Sequence, residues 1–203
     1  MPEPLIVVDY GVGNLGSVAR AFRRIGADSE LCADAEKIRR SKQLVLPGVG
    51  HFGEAMNTLR ARGLEAPLHE ALESGARLLG ICVGFQMLFE GSEEAPGVSG
   101  LGLLPGDVRR FSTGWPVPHI GWNQLEIQGE TPLLEGIETG DYFYFLHSYY
   151  VTPQGDAVVK AKTSYDLSFC SVAGKGRIAG IQFHPEKSQQ LGLRVLANFW
   201  QRS

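Results

Sequence analysis

Three observations predict an α/β protein built on an open, doubly wound sheet, with a parallel core, an antiparallel extension and flanking helices. Short, continuous apolar runs mark strands buried on both faces. Amphipathic stretches separate those runs through the first 90 residues, the alternation a parallel sheet needs for its crossovers. Beyond Gly91 the chain turns rich in Gly, Pro and β-formers and almost loses helical periodicity.

The elements follow in order. Leu5-Ile6-Val7-Val8-Asp9 is an apolar run ending in a polar residue, and Gly11-Val12-Gly13-Asn14 makes the loop after it. Leu15, Val18, Ala19 and Phe22 fall at i, i+3, i+4 and i+7, which predicts a helix ending near Gly26. A short strand over Ser29 to Cys32 and a polar helix from Asp34 to Arg40 come next, then a buried strand at Gln43-Leu44-Val45-Leu46 stopped by Pro47-Gly48-Val49-Gly50. Helical patterns cover about Phe52 to Arg62 and Ala66 to Ser74, and Arg77 to Ile81 is the next strand. From Leu101 to Ala179 several short strands read as an antiparallel extension of the same sheet, Tyr142-Phe143-Tyr144-Phe145 and Ala157-Val158-Val159 most clearly. Ser188 reads as the cap of a last helix with Leu191, Val195 and Phe199 on one stripe. No linker of domain-separating character interrupts the chain, so residues 1–203 are expected to form one domain.

Composition narrows the function classes. A length of 203 residues suits one domain, able to bury roughly 70% of its unfolded surface. A formal net charge of −3 argues against nucleic acid as the main partner. No run approaches the ~18 apolar residues of a membrane span, and Met1-Pro2-Glu3-Pro4 lacks the basic start of a signal peptide. Three widely spaced cysteines form neither a disulfide framework nor a zinc pattern. The chain therefore reads as cytoplasmic and reduced, with no metal and no cofactor.

The chemistry concentrates at Cys82. Gly80-Ile81-Cys82-Val83-Gly84-Phe85-Gln86 follows an apolar strand and precedes a helix-like run, Gln86-Met87-Leu88-Phe89-Glu90. This is the form of a nucleophile elbow with sulfur in place of the serine oxygen. Glycines two before and two after relieve crowding at a sharp turn, and the N–H groups of the following helix favour a thiolate. A base appears a hundred residues on, in Phe183-His184-Pro185-Glu186. Pro185 keeps His184 extended, and side chains two apart on an extended segment share a face. Glu186 can then orient the imidazole of His184 toward the sulfur, the nucleophile, base and orienter logic of a triad.

Each signal has a plainer reading. A lone cysteine after a strand is most often a small core residue, and Cys32 and Cys170 are read that way; the glycines and the distant His-Pro-Glu set Cys82 apart. His51, His69 and His119 read as ordinary surface or loop residues, whereas Leu146-His147-Ser148-Tyr149-Tyr150 is a candidate lining of the site. Gly11-Val12-Gly13-Asn14 lacks the third glycine of a dinucleotide loop and the ending of a P-loop, so nucleotide binding is rejected. Pro47-Gly48-Val49-Gly50 suits an oxyanion hole, with an amide of Val49 or Gly50 as partner to that of Val83.

Together Gly80 to Gln86 and Phe183 to Glu186 resemble the signature of the class I, or triad, glutamine amidotransferases. Asp9-Tyr10-Gly11-Val12-Gly13-Asn14, Leu46 to Phe52, Pro118-His119-Ile120-Gly121-Trp122-Asn123, Phe145 to Tyr149 and His184 to Ser188 are similar to the glutaminase subunits of imidazole glycerol phosphate synthases. The likeness runs from about residue 5 to 200, with no departure at a catalytic position. It implies the flavodoxin-like fold of that family and hydrolysis of L-glutamine through a γ-glutamyl thioester on Cys82, with His184 as base and acid and Glu186 as orienter. It implies that Val83, Val49 and Gly50 hold the oxyanion, and that Gly50, Gln86, Glu94, His147, Ser148 and Tyr149 surround the glutamine. It further implies a heterodimer with a (β/α)8-barrel cyclase subunit, contacted by Asn14, Trp122 and Lys187, to which ammonia passes through a channel. The products there are imidazole glycerol phosphate and an aminoimidazole carboxamide ribotide, in histidine biosynthesis. The alternatives are the glutaminase subunit of another synthase, a free-standing γ-glutamyl hydrolase, and an inactive scaffold; no membrane or nucleic-acid partner is expected.

Overall fold

A computed structural model describes residues 4–112 and 114–201. The strands are β1 (Leu5–Val8), β2 (Ser29–Cys32), β3 (Gln43–Gly48), β4 (Arg77–Cys82), β5 (Gly91–Ser92), β6 (Gly106–Arg110), β7 (His119–Gln124), β8 (Glu126–Ile127), β9 (Tyr142–His147), β10 (Tyr149–Pro153), β11 (Val159–Ser164), β12 (Ser168–Lys175) and β13 (Ile178–Ile181). The helices are α1 (Leu15–Arg24), α2 (Ala35–Arg40), α3 (Phe52–Ala61), α4 (Glu65–Glu73), α5 (Val83–Gln86) and α6 (Gln189–Gln201).

The main sheet runs β2-β1-β3-β4-β13-β12-β10-β6-β5. Its first five strands are parallel, and β12, β10 and β6 extend it antiparallel. Strand β11 pairs with the other edge of β12 and carries β8. Central strand β1 is apolar and buried at every position, as a strand covered on both faces requires. On α1 the stripe found in the sequence faces inward through Val18, Ala19 and Phe22, and α6 buries Val195, Leu196 and Phe199.

Four expectations need correction. Ala157 and Val158 lie in a single 3-10 turn, Asp156–Val158, and the strand there begins only at Val159. Strands β7 and β9 do not join the extension but form a separate two-stranded ribbon. The helix after Cys82 spans only Val83–Gln86 rather than continuing to Glu90. The Ser188 hydroxyl does not cap α6; it accepts from the Tyr144 amide at 3.0 Å and donates to the His184 carbonyl at 2.7 Å, tying the His184 turn to β9.

Candidate active site

The site forms where the parallel strands end, outside their carboxyl edges, as in other open α/β sheets. Strand register sets the positions. Gly48 of β3 lies beside Cys82 of β4, and Ile81 beside Ile181 of β13. Gln182 therefore arrives level with Cys82, and His184 follows two residues later. Cys82 itself has φ 56° and ψ −110°, the strained turn of an elbow. Closing that turn brings backbone onto backbone: a Cβ on Gly84 would stand 1.8 Å from the Leu46 carbonyl oxygen, and one on Gly48 2.5 Å from the Gly84 nitrogen.

His184 is buried and extended, at φ −95° and ψ 99°. Its Nδ1–H donates to Glu186 Oε1 at 3.0 Å, which leaves Nε2 for the sulfur of Cys82. Glu186 reaches this position from a single 3-10 turn, Pro185–Lys187, rather than from the extended segment the sequence suggested. Asn14 Nδ2 also approaches Glu186 Oε1, at 3.5 Å. Burial opposes charge on the His184 ring, yet hydrogen bonding and attraction from Cys82 and Glu186 outweigh it and push His184 up to about 10. At the other two cysteines burial outweighs the neighbouring hydrogen bonds and charges, pushing the Cys170 thiol up to about 12 and also raising that of Cys32.

A cavity of about 230 Å3 opens over the sulfur. It brings together every residue predicted for catalysis or substrate except Glu186, which stands behind His184: Val49, Gly50, Cys82, Val83, Gln86, Glu94, His147, Ser148, Tyr149 and His184 line it. Glu94 also accepts from the Phe52 amide at 2.7 Å, so it steadies the start of α3 beside the Val49–Gly50 loop. Tyr10, fully buried, donates its hydroxyl to the Pro47 carbonyl at 2.8 Å and holds the loop from beneath.

Two sets of residues escaped the sequence reading. The first is Gln182, fully buried, with Nε2 3.8 Å from the Cys82 sulfur. The second underlies the His147-Ser148-Tyr149 segment. His119 is buried rather than a surface residue, and its Nδ1 meets His147 Nε2 at 3.1 Å. His147 Nδ1 lies 2.7 Å from the Tyr149 carbonyl, which can only accept. His147 therefore carries its proton on Nδ1, His119 donates to it, and His119 Nε2 accepts from Asn123 Nδ2 at 3.3 Å. The second hydrogen of that amide goes to the Ser164 carbonyl at 2.9 Å. Burial holds both rings neutral, His119 lowered to about 4 and His147 to about 3. A lone histidine in a loop-like segment gave no hint of this, since its partner lies on another strand.

The ribbon above has two unlike faces. Its inner face carries His119, Asn123, Phe143, Phe145 and His147; its outer face carries Ile120, Trp122, Tyr142, Tyr144 and Leu146. Ile120, Trp122, Tyr142 and Leu146 are exposed. The Lys187 ammonium stands 5.6 Å over the Tyr144 ring, whose edge-to-face neighbour is Trp122 at 6.0 Å. The Leu146 carbonyl is 3.9 Å from the Cys82 sulfur, so this patch begins at the rim of the cavity.

Comparison with known proteins agrees with this geometry. The family model for glutamine amidotransferase class-I matches residues 6–202. An imidazole glycerol phosphate synthase subunit HisH from Methanothermobacter thermautotrophicus is 49% identical over 195 residues, 96% of each chain. Subunits of the same description from Moorella thermoacetica and Deinococcus radiodurans are 47% and 46% identical, covering 97% and 98% of this chain and 94% and 93% of theirs. Among solved structures, the fold matches a glutamine amidotransferase with a TM-score of 0.77 at 24% identity, covering 97% of this chain and 99% of that one. It also matches PurLQS from Thermotoga maritima with a TM-score of 0.74 at 19% identity, covering 99% of both chains. With its elbow cysteine, its His-Glu pair and a family match over nearly its whole length, this chain belongs to the class I glutamine amidotransferases.

Proposed function

We propose that this chain, as one domain over residues 1–203, is the glutaminase subunit of an imidazole glycerol phosphate synthase, acting in the cytoplasm without a cofactor. The observation that carries the reading is the cavity in which Cys82, His184 and the Glu94 and Tyr149 walls converge, opening beside an apolar ribbon.

The Cys82 thiolate attacks the side-chain carbonyl carbon of L-glutamine. The oxyanion that forms is held by the Val83 amide and the Val49–Gly50 backbone. As the C–N bond breaks, His184 gives its proton to the departing ammonia, leaving a γ-glutamyl thioester. His184 then takes a proton from water, which attacks the thioester; the C–S bond breaks and glutamate leaves. Glu186 fixes the imidazole throughout. At the amino-acid end, both N–H groups of Gln86 are committed to the Tyr149 carbonyl and to Gln182 Oε1, at 3.1 and 3.2 Å. Only its carbonyl oxygen remains for substrate, so Gln86 receives the α-ammonium group, and Gly50, Glu94 and the His147-Ser148-Tyr149 segment complete the enclosure.

The partner is a (β/α)8-barrel cyclase subunit docked on the outer ribbon face, with Trp122, Lys187 and Asn14 at the contact, receiving ammonia for imidazole glycerol phosphate synthesis. The relatives named above support this assignment, as does an apolar patch at the mouth of the cavity. The decisive experiment measures glutamate release by this chain alone and with the cyclase and its nucleotide ligand. Strong stimulation that disappears in Cys82→Ala is expected; high activity without the partner would instead identify a free-standing hydrolase.

A further inference from the structure

Besides His184, one other side chain among the described residues donates toward the sulfur. Gln182 Nε2 lies 3.8 Å from Cys82 Sγ, and the orientation of its amide is dictated by its neighbours. The Tyr149 carbonyl can only accept, so the NH2 of Gln86 faces it, at 3.1 Å. That same NH2 also meets the far end of the Gln182 amide, at 3.2 Å, which must therefore be oxygen. Gln182 is left with its NH2 on the sulfur. A fully buried amide between Ile181 and Phe183 costs far more than an apolar residue unless both its ends are paired, and here both are.

The elbow explains why the sulfur needs such a donor. Helix α5 has only four residues, and a single turn sums few peptide dipoles. A neutral amide can stabilise a thiolate without ever protonating it, which a lysine or a second histidine would do. We infer that Gln182 is a catalytic residue, its Nε2–H directed at Cys82 Sγ and donating to the thiolate expelled when the thioester breaks down. Register on the sheet makes this possible, since β13 delivers Gln182 level with Cys82. The inference rests on Cys82 being the nucleophile.

The test is Gln182→Met, read by carbamidomethylation of Cys82 with iodoacetamide across pH, with mass spectrometry of the Cys82 peptide excluding Cys32 and Cys170. The labelling midpoint is expected to move up by about one pH unit, and kcat for glutamine hydrolysis with the cyclase present to fall about 10-fold, the effect of losing one hydrogen bond to a charged group. Lost activity with an unmoved labelling midpoint would reduce Gln182 to a packing role, and no change in either would remove it from the reaction. Should thermal melting show that Gln182→Met does not fold, Gln182→Glu keeps the shape and is expected to move the midpoint up as well, since a carboxylate repels the thiolate. Wild-type enzyme that keeps its activity after Cys82 is labelled would overturn the nucleophile assignment beneath the inference, a result distinct from an unmoved midpoint.

Discussion

In the pair His119–His147 all four ring nitrogens are committed, two as donors and two as acceptors, so an added proton must break a hydrogen bond. Burial lowers the two rings to about 4 and about 3, below the ordinary histidine value of about 6.5. The sign of the pH effect follows. The unfolded chain takes up these protons near pH 6.5 and the folded chain refuses them, so stability falls as pH drops from there toward 4 and 3. Urea midpoints are expected to decline over that window, and His119→Gln, which removes one of the two titrating rings, to flatten the decline by about half. An equally steep decline in the variant would mean that other groups govern acid unfolding. The Cys82, His184 and Glu186 cluster was readable from the chain because its marks are local: glycines around Cys82, and proline and glutamate beside His184. Gln182 and His119 were not, because a buried amide or imidazole acquires meaning only from partners 100 and 28 positions away.

At the scale of elements, the strand and helix alternation of the first 90 residues was legible because the buried stretches of the central parallel strands lack polar alternation, β1 throughout and β3 and β4 after their first residues, Gln43 and Arg77. The ribbon β7–β9 was not. Its alternation of buried and exposed positions is the same in an edge extension as in a separate hairpin-like layer, and only long-range pairing distinguishes them. The length of α5 also escaped, since Met87, Leu88 and Phe89 are fully buried whether or not they continue a helix. The elbow makes a sharper prediction. With the Leu46 carbonyl 1.8 Å from the place a Gly84 Cβ would take, Gly84→Ala must separate β3 from β4 at the site. A loss of about 3 kcal/mol or more in chemical denaturation is expected, together with loss of glutaminase activity. A variant of unchanged stability would show that the loop after β3 yields easily.

For the whole molecule, the outer ribbon face is the surface on which the proposed assembly turns. Four large apolar side chains on one small ribbon are a patch of the kind that marks a protein contact. A tryptophan near the centre of such a contact commonly carries the largest single share of affinity. Trp122→Ala is expected to weaken binding of the cyclase about 30-fold, measured by titration calorimetry, without altering the labelling of Cys82. Unchanged affinity would place the partner on another face. The same indole also makes the chain its own reporter. The sequence holds three tryptophans, and Trp122 is 45% exposed against the edge of Tyr144. Covering it takes that ring from water into an apolar seam, so its fluorescence should shift to the blue on assembly, letting the encounter be timed in stopped flow with no dye attached to either subunit.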